Sequence, residues 1–171
     1  MSLSFTVGGA RGTFDDRLAD EVAGVLDHAF GAEGDWEGTP PRHFGAVDGR
    51  DGWLGLQTLA SDELGPDALP NLLALGDSGR GVYLPAHVRA VALPLSRGGP
   101  LCCASLHGLR RELAELADRW ELPLVDDGLK AIVAEGDEGG VADAPEIVAF
   151  ARLALAANEA ARRDCPLWLF G

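Results

Sequence analysis

The sequence predicts an α+β protein, with a mixed or antiparallel sheet of short strands covered by three to four helices. The predicted elements run strand, helix, several short strands with a small helix among them, three helices and a final strand. Strict βαβ alternation, which is typical of a doubly wound parallel sheet, is missing. The 171 residues, 47% of them apolar and 24% charged, are the size and composition of one globular domain covering residues 1–171.

The first strand and helix are separated by a glycine-rich turn. Residues 2–7 are β-branched and aromatic, and the glycines of GGARG follow them. From Phe14 to Phe30 the apolar residues recur at spacings of three and four, which predicts an amphipathic helix that ends at Gly31. The turn lacks the lysine of a phosphate-binding GxxxxGK[ST] loop, so we expect a plain turn.

The segment 31–52 is rich in glycine, proline and acidic residues and is predicted to be a long irregular loop. Aromatic side chains set among charges often anchor a partner protein. The candidate partner-binding residues are Asp35, Trp36, Glu37, His43, Phe44, Asp48 and Asp51. In the alternative interpretation, Trp36 and Phe44 fold back onto the core and the acidic groups are only solvated.

Short strands and one small helix are predicted in the middle of the chain. The segments are residues 53–59, 82–84, 88–95 and 101–104 for the strands and residues 68–75 for the helix. Pro85 and Pro94 cannot donate hydrogen bonds in a ladder, so the strands beside them are expected to be edge or bent strands.

Three helices and an apolar tail are predicted after residue 105. Leucines repeat at helical spacing from Leu106 to Trp120, and weaker patterns follow at residues 127–135 and 145–163. The tail CPLWLFG must be packed, either as a last strand or against the helices. Left exposed, it would be an assembly edge for a homo-oligomer.

The stretch LCCASLHGL, residues 101–109, contains two thiols, a hydroxyl and an imidazole. A cysteine-dependent hydrolase or transferase would use Cys102 or Cys103 as its nucleophile, with His107 or His87 as the base. The spacing argues against this site, because strand neighbours point to alternate faces and His107 falls in a first helical turn. We expect that Ser105 is an N-cap, that the thiols are free, and that no catalytic residue is present here.

No metal or cofactor is predicted. The cysteines and His107 lack the CxxC or HxxxH spacing that brings ligands to one side of a turn, and the other three histidines lie one per element.

The charge points to a class of partner. The chain has 27 acidic and 14 basic residues, a net charge of −13, which repels nucleic-acid phosphates and anionic membranes. No apolar run is long enough to span a bilayer and no signal-peptide pattern begins the sequence, so a cytoplasmic location is expected.

Small acidic domains without catalytic motifs are typical of bacterial immunity and antitoxin proteins, which neutralise basic partners by complementary charge. The predicted function is therefore a non-enzymatic acidic binding protein, immunity-like, antitoxin-like or regulatory, that engages a basic partner protein. The alternatives are the cysteine-dependent enzyme and a structural subunit of a homo-oligomer.

Overall fold

The protein is described here by a computed structural model that covers residues 2–31, 36, 39–76, 80–138 and 144–171. The strands are β1 (Ser2–Val7), β2 (Arg42–Asp48), β3 (Arg80–Leu84), β4 (Val91–Leu93), β5 (Leu101–Ser105) and β6 (Leu167–Phe170). The helices are α1 (Asp16–Phe30), α2 (Gly55–Leu64), α3 (Leu106–Trp120), α4 (Asp126–Glu138) and α5 (Pro145–Arg163). The strands form one mixed sheet in the order β2-β1-β6-β3-β5-β4, which confirms the predicted α+β class.

The apolar C-terminal tail lies inside the sheet. Its strand β6 pairs antiparallel with β1 on one side and with β3 on the other, while β3 and β5 form the parallel pair. Trp168 is fully buried, and its indole nitrogen donates to the carbonyl oxygen of Gly8 at 2.8 Å. The tail is therefore packed as a strand, and it is not the free assembly edge considered for a structural subunit.

Both faces of the central strands are buried, and successive side chains along each strand point to opposite faces. Val82 of β3 and Trp168 of β6 join a core cluster that includes Val22 and Leu26 of α1. The next residue along β3, Tyr83, belongs to the cluster on the other face. That second cluster is larger and contains the apolar faces of α2, α3 and α5, while α4 packs on α5.

The strand predicted at residues 53–59 is wrong. A π-helix, Gly49–Leu54, leads directly into α2. The buried side chains follow a helical spacing and are Trp53, Leu56, Gln57 and Ala60. The side-chain nitrogen of Gln57 donates to the carbonyl oxygen of Leu72 at 2.9 Å. With α2 added, the part of the chain that the structure describes contains five α-helices.

Other boundaries also differ from the predictions. The segment 31–52 is not irregular throughout, because β2 and the start of the π-helix lie in it. The helix predicted at residues 68–75 is a short 3-10 helix, Pro66–Ala68, followed by turns. The carboxylate of Glu112 holds these turns by accepting from the backbone nitrogen of Leu72 at 2.7 Å.

The prediction that strands beside prolines are edge or bent strands is confirmed beside Pro94 and wrong beside Pro85. The strand predicted at residues 88–95 shrinks to β4 at the sheet edge, as expected from Pro94. The strand predicted at residues 82–84 is β3, which lies between β6 and β5 because it ends one residue before Pro85.

The glycine-rich turn after β1 is closed by the segment that follows α1. The backbone nitrogen of Gly9 donates to Thr39 and that of Ala10 donates to Trp36. Gly8 has φ +144°, and a Cβ there would lie 2.7 Å from the Cα of Pro41. These amides serve the fold, as expected of a plain turn.

Across the described ranges, none of the helices has the length and apolar character needed to cross a lipid bilayer.

Candidate functional site

The stretch LCCASLHGL is the junction of β5 and α3. The Ser105 hydroxyl accepts from the backbone nitrogen of Gly108 at 3.2 Å, which confirms the predicted N-cap. The same hydroxyl donates to the carbonyl oxygen of Ala86 at 2.8 Å. One side chain therefore fixes both the first turn of α3 and the loop that follows β3.

The two adjacent thiols lie on opposite faces of the sheet. Cys103 is fully buried in the cluster covered by α1, and Cys102 is half-buried against the larger cluster. Desolvation, with a smaller contribution from Cys102, raises the pKa of the Cys103 thiol to about 12. At neutral pH Cys103 is a protonated, inaccessible thiol, so it lacks the thiolate that a nucleophile needs.

The two histidines considered as the catalytic base, His87 and His107, contact each other rather than a cysteine. The rings of His87 and His107 lie with centroids 4.8 Å apart and planes tilted by 30°. They line one end of a cavity of about 590 Å³ between α3, α5 and the segment before α4. The full lining is His87, His107, Arg110, Arg111, Leu113, Ala114, Leu124, Ala154, Ala157 and Asn158. Within the described ranges, this lining includes no cysteine and no carboxylate.

The aromatic residues proposed as partner anchors are turned toward the core. Trp36 is 5% exposed, packs in the α1 cluster and donates from its indole nitrogen to Asp27 at 2.9 Å. Phe44 is half-buried, and the guanidinium of Arg42 lies 5.0 Å from its ring centroid. For these two residues the structure has the folded-back arrangement, and Trp36 is not available as an exposed anchor.

The remaining predicted residues divide into four groups, of which Asp51 is the last. His43 is exposed on edge strand β2. Asp48 is the N-cap of the π-helix, where the backbone nitrogens of Asp51 and Arg50 hold the pKa of its carboxyl below the usual range. Asp35 and Glu37 lie outside the described residues.

Asp51 is exposed and lines a shallow groove of about 680 Å³ between α2 and the start of α5. We call this the acidic groove; its lining is Arg50, Asp51, Leu54, Gly55, Thr58, Leu59, Asp62, Pro145 and Glu146. Three carboxylates and one guanidinium give it a net negative charge. Leu54 and Leu59, each 36% exposed, supply apolar surface between the charges.

Sequence reasoning missed most of the acidic groove. Its positions from residue 51 to residue 62 follow alternating spacings of three and one, which is one face of a helix opposite the buried face. This helical face was not recognised because residues 53–59 were predicted to form a strand. Glu146 could not be joined to it by spacing, because it comes from α5.

In the part of the chain that the structure describes, no group of three or more His, Cys, Asp or Glu side chains is placed to hold a metal ion.

Comparison with known proteins gave no assignment: no protein-family model, no curated protein and no solved structure matches this chain.

Proposed function

We propose that this protein is a non-enzymatic acidic binding protein, and that it engages a basic segment of a partner protein in the acidic groove. The observation that carries the proposal is the grouping of Asp51, Asp62 and Glu146 around exposed leucines. Such a surface favours a partner segment in which lysine or arginine alternates with apolar side chains, because charge supplies selectivity and burial supplies affinity.

The sign and size of the total charge support the same class of partner. A net charge of −13 attracts a basic protein over several ångströms before contact and increases the rate of encounter. The three cysteines are free thiols, which supports a cytoplasmic setting for the interaction, since disulfides persist mainly in oxidising compartments.

The buried state of Cys103 makes this residue unfavourable as the nucleophile of the cysteine-dependent alternative. A catalytic thiol needs a lowered pKa and access to substrate, and the Cys103 thiol has a raised pKa and is fully buried.

The test is affinity purification of the tagged protein from its host's lysate, at low and at moderate salt, followed by mass spectrometry. The groove variant is Asp51→Lys/Asp62→Lys. The control is Asp118→Lys/Glu135→Lys, which makes the same charge change at exposed positions of α3 and α4.

We expect the wild type and the control to retain one lysine- or arginine-rich protein in stoichiometric amount, and the groove variant to release it. Retention should weaken as salt rises, because exposed charges are screened. A partner held equally by the groove variant, an acidic partner, or no stoichiometric partner at either salt would contradict the proposal.

A further inference from the structure

We propose that the cavity between α3 and α5 is a binding site for an organic anion with an apolar body. The inference does not depend on the acidic groove, because the two depressions have no lining residue in common. A volume of about 590 Å³ is typical of small-molecule sites, which lie at about 300–1,000 Å³.

The two arginines in the cavity lining, Arg110 and Arg111, carry a charge opposite in sign to the net charge of the protein. Two of the 14 arginine and lysine residues and two of the four histidines line the cavity, in a chain with a net charge of −13. In the described part of the chain, neither Arg110 nor Arg111 forms an ion pair. Their guanidinium donors are available, and a guanidinium fork matches the oxygens of a carboxylate, sulfonate or phosphate group.

Part of the cavity lining consists of buried apolar side chains. Leu113 of α3 and Ala154 and Ala157 of α5 are at most 2% exposed. Leu124 lies at the side and is 37% exposed, and its neighbour Val125 is 70% exposed. A fully hydrated inorganic anion would leave this surface without a partner, whereas an anion with an aromatic or aliphatic body would cover it.

The polar end is held in place by the fold. Ser105 caps α3 and binds the carbonyl of Ala86, so that His87 and His107 are brought face to face from segments 20 positions apart. Elsewhere in the lining, the side-chain nitrogen of Asn158 donates to the carbonyl oxygen of Leu124 at 3.1 Å and to the carboxylate of Asp126 at 3.0 Å. A preformed site of this kind loses less conformational entropy when it binds.

Two fluorescent probes with the same aromatic body separate the contribution of charge from that of apolar surface. 1-Anilinonaphthalene-8-sulfonate is an organic anion, and N-phenyl-1-naphthylamine is the same body without the sulfonate. We expect the wild type to bind one sulfonate probe per chain, about tenfold more tightly than the neutral probe, since a charge-assisted hydrogen bond contributes that much.

Three variants locate the binding. His107→Gln/Arg110→Gln should lower the affinity for the sulfonate probe about tenfold and change the affinity for the neutral probe by no more than about twofold. Ala114→Trp, at an exposed lining position of α3, should abolish binding of both probes by filling the cavity. Arg119→Gln, an exposed position of the same helix outside the lining, is the matched control and should bind like the wild type.

Equal affinity for the two probes in the wild type would overturn the anion assignment, and this comparison needs no variant. Unchanged sulfonate binding in Ala114→Trp would overturn the location. The Asp51→Lys/Asp62→Lys variant should bind the sulfonate probe as the wild type does, so a failure of this proposal and a failure of the partner proposal are distinguishable.

Discussion

Ser105 shows how one side chain determines the character of the segment that most resembles a catalytic site. Its hydroxyl forms two hydrogen bonds: it accepts from the backbone nitrogen of Gly108 and donates to the carbonyl oxygen of Ala86. Both are structural, and together they set the positions of His87 and His107. The neighbouring thiols are separated by the pleat of β5, which places Cys102 and Cys103 on opposite faces.

We predict that Cys103 resists alkylation in the folded protein. A pKa raised from 9.0 to about 12 leaves about a thousandfold less thiolate at neutral pH, and burial blocks the reagent as well. Iodoacetamide labelling followed by peptide mass spectrometry, in native buffer and in urea, measures this difference. Labelling of Cys103 as fast in native buffer as in urea would contradict the buried position and revive the cysteine-dependent enzyme.

At the scale of elements, α3 is joined to the turns after α2 through Glu112 and Asn71. The carboxylate of Glu112 accepts from the backbone and side-chain nitrogens of Asn71 at 2.9 and 2.7 Å. The side-chain oxygen of Asn71 in turn accepts from the backbone nitrogen of Ser105 at 3.1 Å. This network lies against Gly108, where a Cβ would be 2.2 Å from the Asn71 amide nitrogen.

We predict opposite effects for two glycine-to-alanine substitutions in helices. Gly24→Ala in α1 should raise the free energy of unfolding by about 0.5–1 kcal/mol, because a Cβ there meets nothing within 4 Å and glycine is a poor helix former. Gly108→Ala should lower it by about 1–3 kcal/mol, because Asn71 must move out of its network. Urea unfolding of both variants is the measurement. A Gly108→Ala protein as stable as the wild type would be inconsistent with the packing at α3, and a destabilised Gly24→Ala protein would contradict the open position of Gly24.

At the scale of the whole molecule, carboxylates bound by donors link stability to pH. The backbone amide of Ser96 lowers the pKa of Glu21, the amides of Asp51 and Arg50 lower that of Asp48, and the Arg162 side chain lowers that of Glu159. A carboxyl whose folded pKa is lowered stabilises the fold fully above its unfolded pKa, and this stabilisation is lost as pH falls through the folded pKa.

We predict that the melting temperature falls between pH 5 and pH 3. Below the isoelectric point near 4.5 the net charge becomes positive, and self-repulsion then adds to the loss of stability. Asp48→Asn keeps an N-cap oxygen but does not titrate. The melting temperature of this variant should therefore fall less over this pH range than that of the wild type. Asp118→Asn, at an exposed position, is the control and should behave as the wild type. An Asp48→Asn protein with the wild-type pH dependence would contradict the assigned cause.

Local spacing was sufficient for several elements and for one site residue. The helical spacings at residues 14–30 and 106–120 predicted α1 and α3, and a serine between a strand and a helix predicted the cap at Ser105. The charge of −13 also follows from the sequence alone. These features depend on near neighbours or on a sum, so they need no knowledge of tertiary contacts.

Tertiary structure decided the rest. Residues 53–59 are a short, largely apolar segment whose pattern alone does not separate a strand from a helix, and the burial of Trp53 and Leu56 in the larger core selects the helix. The cavity draws its lining from residues 87, 107–114, 124 and 154–158, and the acidic groove joins α2 to Glu146. No local spacing relates such distant segments; they meet because the strands and helices that carry them must bury their apolar faces together.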